Sequence, residues 1–525
     1  MRDFHFPGRS ETYASNGMCA TSHPLGAQVG VEVLKRGGTA MDAAIAGALV
    51  LGICEPQMTG IGGDLFALVS PASTNDIHAY NGSGRAPANA DASALKEQGH
   101  KTVPLQSPDA VTIPTAMHAF EKMSEKWGKL GFDALLAPTI HYAETGVPVA
   151  PRVAFDWIES APMLQTTAKK HFLINSQIPK AGDMFYAPGQ AEVLRRVAKH
   201  GVKAFYEGEV ADDMLSALHA QGGIHTAEDF ARVSSEQVDP ISGTYKGTEL
   251  FEHPPNGQGA TALLLLNIFK HFDIAAMDPL GSERAHIEAE ATKLAYDARN
   301  RFLADPDHTK KLNHMLAPET AAKLAALINP RHAIQTTSHL SEAVHKDTIY
   351  ITAVDRNGMS VSLIYSIFHG FGSGIASEKF GILLQNRGAG FTLQSGHPNE
   401  LSGGKRPMHT IIPGMLAENG TPIMPFGVMG GAYQPNGHAR FLSNLNDFGM
   451  DAQSAIDAPR AFADGKILKV EKGYSEQVRA ELAELGHRIE IPNGPIGGAQ
   501  SIRVTDTGVL IGASDPRKDG CALGY

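Results

Sequence analysis

A threonine at the start of a predicted β-hairpin is the side chain of this sequence best placed for nucleophilic chemistry. Thr348 precedes a run rich in β-branched residues, 349–354, and a turn at 356–358 leads into a second such run, 361–368. A threonine hydroxyl attacks a carbonyl only when a base takes its proton, and a free α-amine, with a pKa of roughly 7.7 to 8.0, suits that role. Cleavage between Asp347 and Thr348 would create this amine. Thr348 as nucleophile therefore predicts that the chain is a proenzyme.

The residues around Thr348 give this chemistry its main support. Taken alone, a threonine at the start of a strand is usually structural, because β-branched residues favour strands. The segment DTIYITAVDRNGMSVSLIYSIFHGFGSGI, however, resembles the catalytic region of the γ-glutamyltranspeptidase-like family of N-terminal nucleophile hydrolases. The resemblance implies that Thr348 is the nucleophile and that Ser366 is the hydroxyl residue hydrogen-bonded to it. Ile349 and Tyr350 differ from the threonine and histidine that usually follow the nucleophile in that family.

The opening of the chain resembles the same family over a longer stretch. It contains HPLGAQVGVEVLKRGGTAMDAAIAGALVLG followed by EPQMTGIGGD. The pattern predicts a short strand at 17–20, a helix that begins at His23-Pro24, and a second helix capped by Thr39 that runs to about Gly52. A glycine turn then leads into a strand. These elements must support the hairpin that carries Thr348.

A glycine pair further along the chain predicts an oxyanion hole. Gly430 and Gly431 close the loop Gly427-Val428-Met429-Gly430-Gly431, which follows a strand-like run at 422–426 and resembles a Gly-rich loop of the family. Two successive glycines let backbone N–H groups point at one spot, where they stabilise the charge that develops during acyl transfer. Without Thr348, the same pattern would indicate a plain turn.

Two loops contain the residues expected to bind the substrate. In the γ-glutamyl enzymes, an arginine three residues before an Ala-Pro pair binds the substrate α-carboxylate, but Ser83 stands there in this sequence. Arg85 lies two residues further on and is a candidate for a carboxylate, with a solvated surface charge as the alternative. His409 and Thr410 occupy the places of the paired serines that touch the substrate in the family.

The remaining departures from the family suggest the class of substrate. Phe368, Arg387 and Gly390 replace the Asn, Gln and Asp that hold the glutamyl amino and carboxylate groups in the family. Loss of the acidic residue removes a partner for a substrate ammonium, whereas Arg387 adds a guanidinium that can bind a carboxylate through two parallel hydrogen bonds. The combination of NGSGRAP with KRPMHTIIP looks most like the oxamate amidohydrolase branch of the family, which releases ammonia from oxamate in purine breakdown. We expect a small acidic amide without an α-amino group as the substrate.

Other motifs carry less weight. His286 and Glu290 lie four residues apart on a predicted helix that begins near Ser282, but the sequence shows no second pair of ligands nearby, and we predict no metal. Ser402 to Lys405 spells the S-x-x-K pattern of another class of acyl-transfer enzymes within a Gly-rich loop. No loop fits the phosphate-binding G-x-x-x-x-G-K-[ST] pattern, so no nucleotide or other cofactor is expected.

Composition restricts the partners and the compartment. The 525 residues are 42% hydrophobic and 19% charged with a net charge of −10, which favours a small-molecule substrate over nucleic acid or a membrane. Cys19, Cys54 and Cys521 are too few and too widely spaced for a disulfide framework and are expected to be free thiols. The opening residues contain no apolar run of signal-peptide length, which predicts a cytoplasmic protein.

The resemblance implies an α+β fold, the four-layered αββα sandwich of the N-terminal nucleophile hydrolases, formed from two fragments of one precursor. Residues 1–347 would form the large fragment and residues 348–525 the small one, together a single structural domain and a heterodimer. Pairing of two such heterodimers is left open. A small-amide hydrolase is the first functional interpretation, a γ-glutamyltransferase or glutathione hydrolase with a modified pocket is the second, and a non-catalytic binding protein of the same fold is the third.

Overall fold

The computed structural model describes His5 and residues 8–335 and 348–525 of the chain. Asp347, on one side of the predicted cleavage site, lies outside the described residues, whereas Thr348 lies within them.

In chain order the strands are β1 Thr12–Ala14, β2 Met18–Thr21, β3 Asp64–Ser70, β4 His78–Gly82, β5 Val147–Pro148, β6 Met184–Phe185, β7 Glu236–Val238, β8 Ile241–Tyr245, β9 Thr248–Glu252, β10 Ile349–Val354, β11 Ser360–Ser366, β12 Gly414–Glu418, β13 Thr421–Met429, β14 Ala461–Asp464, β15 Ile467–Val470, β16 Ile489–Glu490, β17 Gly498–Val504, β18 Leu510–Ser514 and β19 Cys521–Gly524.

The helices fall mainly into two groups along the chain, one before β7 and one after β9. Their bounds are α1 Pro24–Lys35, α2 Ala40–Cys54, α3 Ala92–Glu97, α4 Ala116–Trp127, α5 Phe132–Thr145, α6 Pro151–Ser160, α7 Thr166–Phe172, α8 Pro188–His200, α9 Lys203–Tyr206, α10 Glu209–His219, α11 Ala227–Ala231, α12 Gly259–Phe269, α13 Ser282–Phe302, α14 Leu312–Leu316, α15 Pro318–Ala325, α16 Gln434–Asn446, α17 Ala452–Asp457 and α18 Glu476–Glu484. No helix of the described ranges is long and apolar enough to cross a membrane.

Two antiparallel sheets form the centre of the molecule. Within the described residues, sheet I has the strand order β19-β2-β10-β11-β3-β4-β7 and sheet II the order β1-β18-β17-β13-β12-β9-β8. Buried side chains of both sheets meet between them, in clusters such as the one formed by Phe66, Tyr350, Ile364, Ile411 and Met429. The two sheets therefore pack face to face around an apolar core.

Helices cover the outer face of each sheet. Helices α1, α2, α4, α5 and α8 pack on sheet I through one continuous buried cluster, and α12, α13, α16 and α17 pack on sheet II through another. The strands at the centre of sheet I, such as β3, β10 and β11, are consequently buried along their whole length. This stack of helices, two sheets and helices confirms the predicted αββα sandwich.

The first two helices begin where the sequence predicts. The Nδ1 atom of His23 accepts a hydrogen bond from the Leu25 N–H at the start of α1. Thr39 and Asp42 form a reciprocal capping box at the start of α2. Gly47 lets α2 approach sheet I closely, because a Cβ there would lie 2.4 Å from the Ile351 side chain.

The apolar periodicity of residues 107–329 predicts a mostly helical middle of the chain, and the structure differs from this prediction in part. Three consecutive strands, β7, β8 and β9, occupy most of residues 236–252 and form outer strands of both sheets. Strand β9 alternates buried and half-buried residues, the period-two pattern of an amphipathic strand, but each segment is too short to stand out among helices. As expected from the cysteine spacing, Cys19, Cys54 and Cys521 are free thiols.

Candidate active site

The register of sheet I brings three polar side chains into one row. Ile349 pairs with Tyr365, so Thr348, one residue earlier, lies beside Ser366 at the ends of β10 and β11. Ser366 in turn pairs with Asp64, the first residue of β3. All three are buried, and the Thr348 Oγ1 hydroxyl donates a hydrogen bond of 3.3 Å to Ser366 Oγ.

The Ser366 hydroxyl is also held from the other side. The backbone N–H of Phe368 donates to Ser366 Oγ at 2.8 Å. Phe368 has a φ of 81°, a left-handed conformation that is unusual for a bulky residue and turns the chain sharply after β11. The turn therefore fixes the oxygen that accepts the Thr348 hydrogen bond.

Asp64 is the centre of a buried charged group. Its Oδ2 accepts a 2.8 Å hydrogen bond from His409 Nε2, and its Oδ1 lies 3.4 Å from Arg387 Nη2. The Gln385 amide, with its nitrogen toward Asp64 and its oxygen toward the Thr112 hydroxyl, donates to Oδ1 at 3.0 Å. Burial alone would raise the pKa of Asp64, but the adjoining His409 and Arg387 outweigh it and hold the pKa below its ordinary value.

His409 is a neutral positioning group at this site. Its Nδ1 accepts the Ile411 N–H at 3.2 Å, which assigns the proton to Nε2, the atom that donates to Asp64. Burial, and then the nearby charge of Arg387, lower the pKa of His409 to about 4. A neutral imidazole with both nitrogens bonded carries no charge that would attract a carboxylate, and the acid-binding role expected of His409 stays a prediction.

Arg387 is the cation of the group. Its Nη1 donates to the Thr410 hydroxyl at 3.2 Å, and its guanidinium lies 4.3 Å from the ring centroid of Phe368. Burial lowers the pKa of Arg387 to about 10, against the opposing effect of Asp64, so the group stays charged at neutral pH. The Nε atom of Arg387 is buried and has no hydrogen-bond partner among the described residues.

The glycine pair lies where β13 leads into α16. Gly430 and Gly431 have φ values of 117° and 54°, and a short 3-10 helix, Gly431–Tyr433, runs directly into α16. The first N–H groups of a helix have no partner within the helix and favour negative charge. Met429, the residue before the pair, belongs to the same buried cluster between the sheets as Tyr350 of β10. The pair thus lies close to the strands that carry Thr348 and Ser366.

Gln258 holds the glycine turn in place. Its Nε2 donates to the carbonyl oxygens of Thr410 and Gly431, the latter at 3.0 Å. Its Oε1 accepts a 2.8 Å hydrogen bond from Arg299 Nη1. One amide side chain therefore connects the Thr410 segment with the glycine turn.

Arg85 and Ser83 occupy different environments from the other predicted site residues. Arg85 has 41% of its side chain exposed and binds the Gly404 carbonyl and Asp305, so the structure does not bring it into the buried group. Ser83 is fully buried, and its hydroxyl donates to Asn81 Oδ1 at 2.7 Å and lies 3.3 Å from Asn256 Oδ1.

Several residues of the site were not predicted from sequence. The sequence shows Asp64 only as part of a family motif and Phe368 only as a departure from the family, and it gives Gln258 and Gln385 no predicted role. Asp64 carried one available signal, a lone acid directly after three glycines in TGIGGD and directly before an apolar strand. The glutamines carried none, because buried amides act through partners distant in sequence.

The structure adds a third residue to the His286 and Glu290 pair considered as a metal site. His487 Nε2 lies 2.8 Å from His286 Nδ1, although the two residues are 201 positions apart. Glu290 binds Lys293 Nζ at 2.6 Å and accepts the Ile334 N–H at 2.7 Å. The same atoms that would bind a metal are engaged in these hydrogen bonds, and the Lys293 ammonium already supplies a cation. The cluster serves to fasten the segment around Ile334 to α13.

Comparison with known proteins gives a consistent family. A family model described as Gamma-glutamyltranspeptidase matches residues 26–525. The "Glutathione hydrolase-like YwrD proenzyme" of Bacillus subtilis is 33% identical, covering 97% of this chain and 98% of that protein. The "Oxamate amidohydrolase proenzyme" of Klebsiella pneumoniae is 31% identical, covering 98% of this chain and 100% of that protein.

A solved structure agrees over the whole fold. The crystal structure of cephalosporin acylase from Bacillus halodurans superimposes with a TM-score of 0.92 and 37% identity, covering 100% of this chain and 99% of that one. The predicted resemblance is therefore confirmed, and a hydrolase is favoured over a non-catalytic binding protein. The chain belongs to the gamma-glutamyltranspeptidase family and is a hydrolase acting on C–N bonds.

Proposed function

We propose that the protein is a self-processing amidohydrolase that cleaves a small acidic amide, with Thr348 as the nucleophile. The observation that carries this proposal is the hydrogen bond of 3.3 Å between the buried Thr348 and Ser366 hydroxyls. The buried Arg387 bears on the same site, because Phe368 both donates to Ser366 and stacks on the Arg387 guanidinium. A nucleophile and a cation connected through one residue suit an acyl group that ends in a carboxylate.

Processing would separate the chain between Asp347 and Thr348 into residues 1–347 and 348–525. The two fragments would remain a heterodimer, because both contribute strands to each sheet. In sheet I, β10 and β11 of the small fragment lie between β2 and β3 of the large one. Separation of the fragments would break the backbone ladders on both sides of this pair.

The proposed reaction uses the new α-amine of Thr348 as the base. The amine takes the proton of the Thr348 hydroxyl while the oxygen attacks the amide carbonyl, and N–H groups of Gly430 and Gly431 stabilise the resulting oxyanion. The C–N bond then breaks, and the departing nitrogen takes the proton from the Thr348 ammonium and leaves as ammonia or an amine. Water, deprotonated by the same amine, hydrolyses the acyl-enzyme and restores the threonine. Ser366 orients the nucleophile by accepting its hydrogen bond.

Oxamate, which would give oxalate and ammonia, is the substrate we favour. Its carboxylate adjoins the reacting amide, so a single arginine can hold it, and one relative is named for this activity. Arg387, oriented by Thr410, is the proposed carboxylate-binding residue, and Arg85 is too far toward the surface to take that role in this conformation. Names of other similar proteins make glutathione and a cephalosporin side-chain amide the competing substrates.

A pair of variants tests the nucleophile. Thr348→Ala should leave one uncut chain on a denaturing gel without activity, because neither the hydroxyl nor processing remains. Thr348→Ser keeps a hydroxyl and should be cut, which frees an α-amine at position 348, and mass spectrometry should find a fragment that begins there. A normally processed or active Thr348→Ala protein would refute the scheme.

The substrate is tested on the mature wild-type protein with oxamate, glutathione and a cephalosporin carrying an acidic acyl chain. Ammonia release from oxamate with the highest kcat/KM is the expected result. A higher kcat/KM for glutathione would instead identify a γ-glutamyl enzyme with a modified pocket.

A further inference from the structure

Phe368 occupies a position that connects the nucleophile side of the site with its cation. Its backbone N–H binds Ser366 Oγ, and its ring lies over the guanidinium of Arg387. Phe368 has a left-handed backbone with a φ of 81°, which turns the chain immediately after β11. This turn lets the N–H of Phe368 reach Ser366 while its ring reaches Arg387. A bulky residue in this conformation is costly unless its surroundings hold it, and such positions concentrate at functional sites.

The ring decides what can meet the guanidinium. Arg387 has no exposed surface, and two of its nitrogens are committed to Asp64 and Thr410. The ring covers one face, which leaves the buried Nε edge without a partner among the described residues. An in-plane carboxylate oxygen can accept from such an edge, because guanidinium donors lie in the plane of the group.

The same arrangement disfavours an α-amino acid. An ammonium next to this site would meet the positive charge of Arg387, and the face of the Phe368 ring that could attract a cation is already covered by the Arg387 guanidinium. The one nearby carboxylate among the described residues, Asp64, is already bound by His409, Arg387 and Gln385.

We infer that Phe368 is the specificity-determining residue of the site: its ring over Arg387 selects flat acyl groups that end in a carboxylate and excludes those that carry an α-ammonium. This inference rests on the proposed function and adds to it a residue that controls the choice of substrate. The ring acts through Arg387, whereas the backbone of Phe368 acts through Ser366. The two roles can therefore be separated by substitution.

Phe368→Gly removes the ring and keeps the left-handed backbone and its N–H, because glycine adopts positive φ readily. Phe368→Leu is the matched control, since it retains an apolar wall of similar size. On mature protein we expect Phe368→Gly to raise KM for oxamate at least tenfold with a smaller change in kcat. The ratio of kcat/KM for glutathione to that for oxamate should rise at least tenfold, and Phe368→Leu should change it less than threefold.

The outcomes separate this inference from the proposed function. A mature Phe368→Gly protein, cut at Thr348, whose substrate ratio stays within threefold of wild type would overturn the inference alone. A wild-type protein that is uncut or inactive on oxamate would overturn the proposed function and the inference with it. A fall in kcat with unchanged KM would assign Phe368 to the backbone role only.

Discussion

At the scale of single residues, Asp64 has the largest electrostatic task in the site. It is fully buried and balances the charge of Arg387, while the hydrogen bond from His409 fixes its second oxygen. A buried pair is expensive to create, but it is more expensive to break on one side, because the remaining charge stays buried without a partner. Asp64 is therefore a positioning residue whose loss affects both stability and catalysis.

Replacement of Asp64 by Asn should be strongly destabilising. We expect a loss of about 3 to 5 kcal/mol in the free energy of unfolding, because Arg387 would keep its charge without a counter-ion. Urea unfolding of the uncut Thr348→Ala chain, with and without the second substitution, measures this loss.

A surface pair provides the control for that measurement. Glu125→Gln removes a partner of Lys122, and both side chains are largely exposed, at 57% and 42%. Exposed ion pairs contribute about 0 to 1 kcal/mol to the free energy of unfolding, so the urea midpoint of the Glu125→Gln variant should hardly change. Equal midpoints for the Asp64 and Glu125 variants would show that Asp64 does not neutralise Arg387.

At the scale of elements, the glycine turn depends on a loop from another part of the chain. The turn at 430–431 is the hinge between β13 and α16, and Gln258, at the start of α12, binds the Gly431 carbonyl. Arg299 of α13 orients the Gln258 amide from the other side. Two helices that pack on sheet II therefore determine where the proposed oxyanion donors point.

Gln258→Leu should lower kcat without a comparable change in KM. Leucine fills similar space but releases the Gly431 carbonyl, so the N–H groups lose their alignment with the developing oxyanion. A misplaced donor costs roughly 100-fold in rate, and the groups proposed to bind the carboxylate are not touched. Steady-state kinetics on the mature protein measure the effect.

Gln28→Leu on the exposed face of α1 is the matched control and should leave kcat and KM unchanged. If Gln258→Leu raised KM as much as it lowered kcat, Gln258 would act on substrate binding and not on the glycine turn.

At the scale of the whole molecule, the two predicted fragments are interleaved. The segment before residue 336 contacts both fragments. The Ile334 N–H binds Glu290 of α13 in the large fragment, and the Ala333 N–H binds the carbonyl of Leu485, just after α18, in the small fragment. Together with the alternating strands of sheet I, these contacts hold the large fragment onto the small one after the proposed cut. The predicted division at residue 347 remains a prediction that the gel and mass measurements above will decide.

Buried histidines give the molecule a pH-dependent stability. Burial lowers the pKa of His23 to about 4, of His253 to about 3 and of His409 to about 4. Because the unfolded chain takes up these protons first, stability is full above about pH 6.5 and falls as the pH drops toward 4. At pH 5 each of these histidines lowers the free energy of unfolding by about 2 kcal/mol, and the three together lower it by roughly 6 kcal/mol.

One buried acid, Glu55, gives the stability a pH dependence of the opposite sign. Burial raises the pKa of Glu55 to about 7, so its folded form gains relative stability as the pH falls from 7 toward 4.5. This offsets roughly 2 kcal/mol of the histidine loss at pH 5. These four groups together contribute an expected net loss of roughly 4 kcal/mol between pH 7 and pH 5, and the shift in urea midpoint of the Thr348→Ala chain should have this sign.

His23→Asn isolates one histidine. Asparagine is a good N-cap for α1 and does not titrate, so the midpoint at pH 7 should be kept and about 2 kcal/mol of the pH dependence should disappear. An unchanged pH dependence would mean that His23 does not take up a proton on unfolding in this range.

The sequence alone determined the local features of this protein. Caps at His23 and Thr39 and the hairpin after Thr348 depend on neighbours within a few residues, and all appear where they were predicted. The family resemblance added the αββα fold, which local pattern could not supply. The short strands at 236–252 were missed because three to five residues carry too little periodicity to reveal an element.

Only the tertiary structure decided which residues act together. Asp64 and His409 are 345 positions apart, and His286 and His487 are 201 apart, so their contacts depend on strand register and on how the layers pack. The same packing placed Arg85 at the surface and Arg387 in the interior beside Asp64. Charge pairing in a dry interior follows from proximity in space, and the order of residues along a chain does not record that proximity.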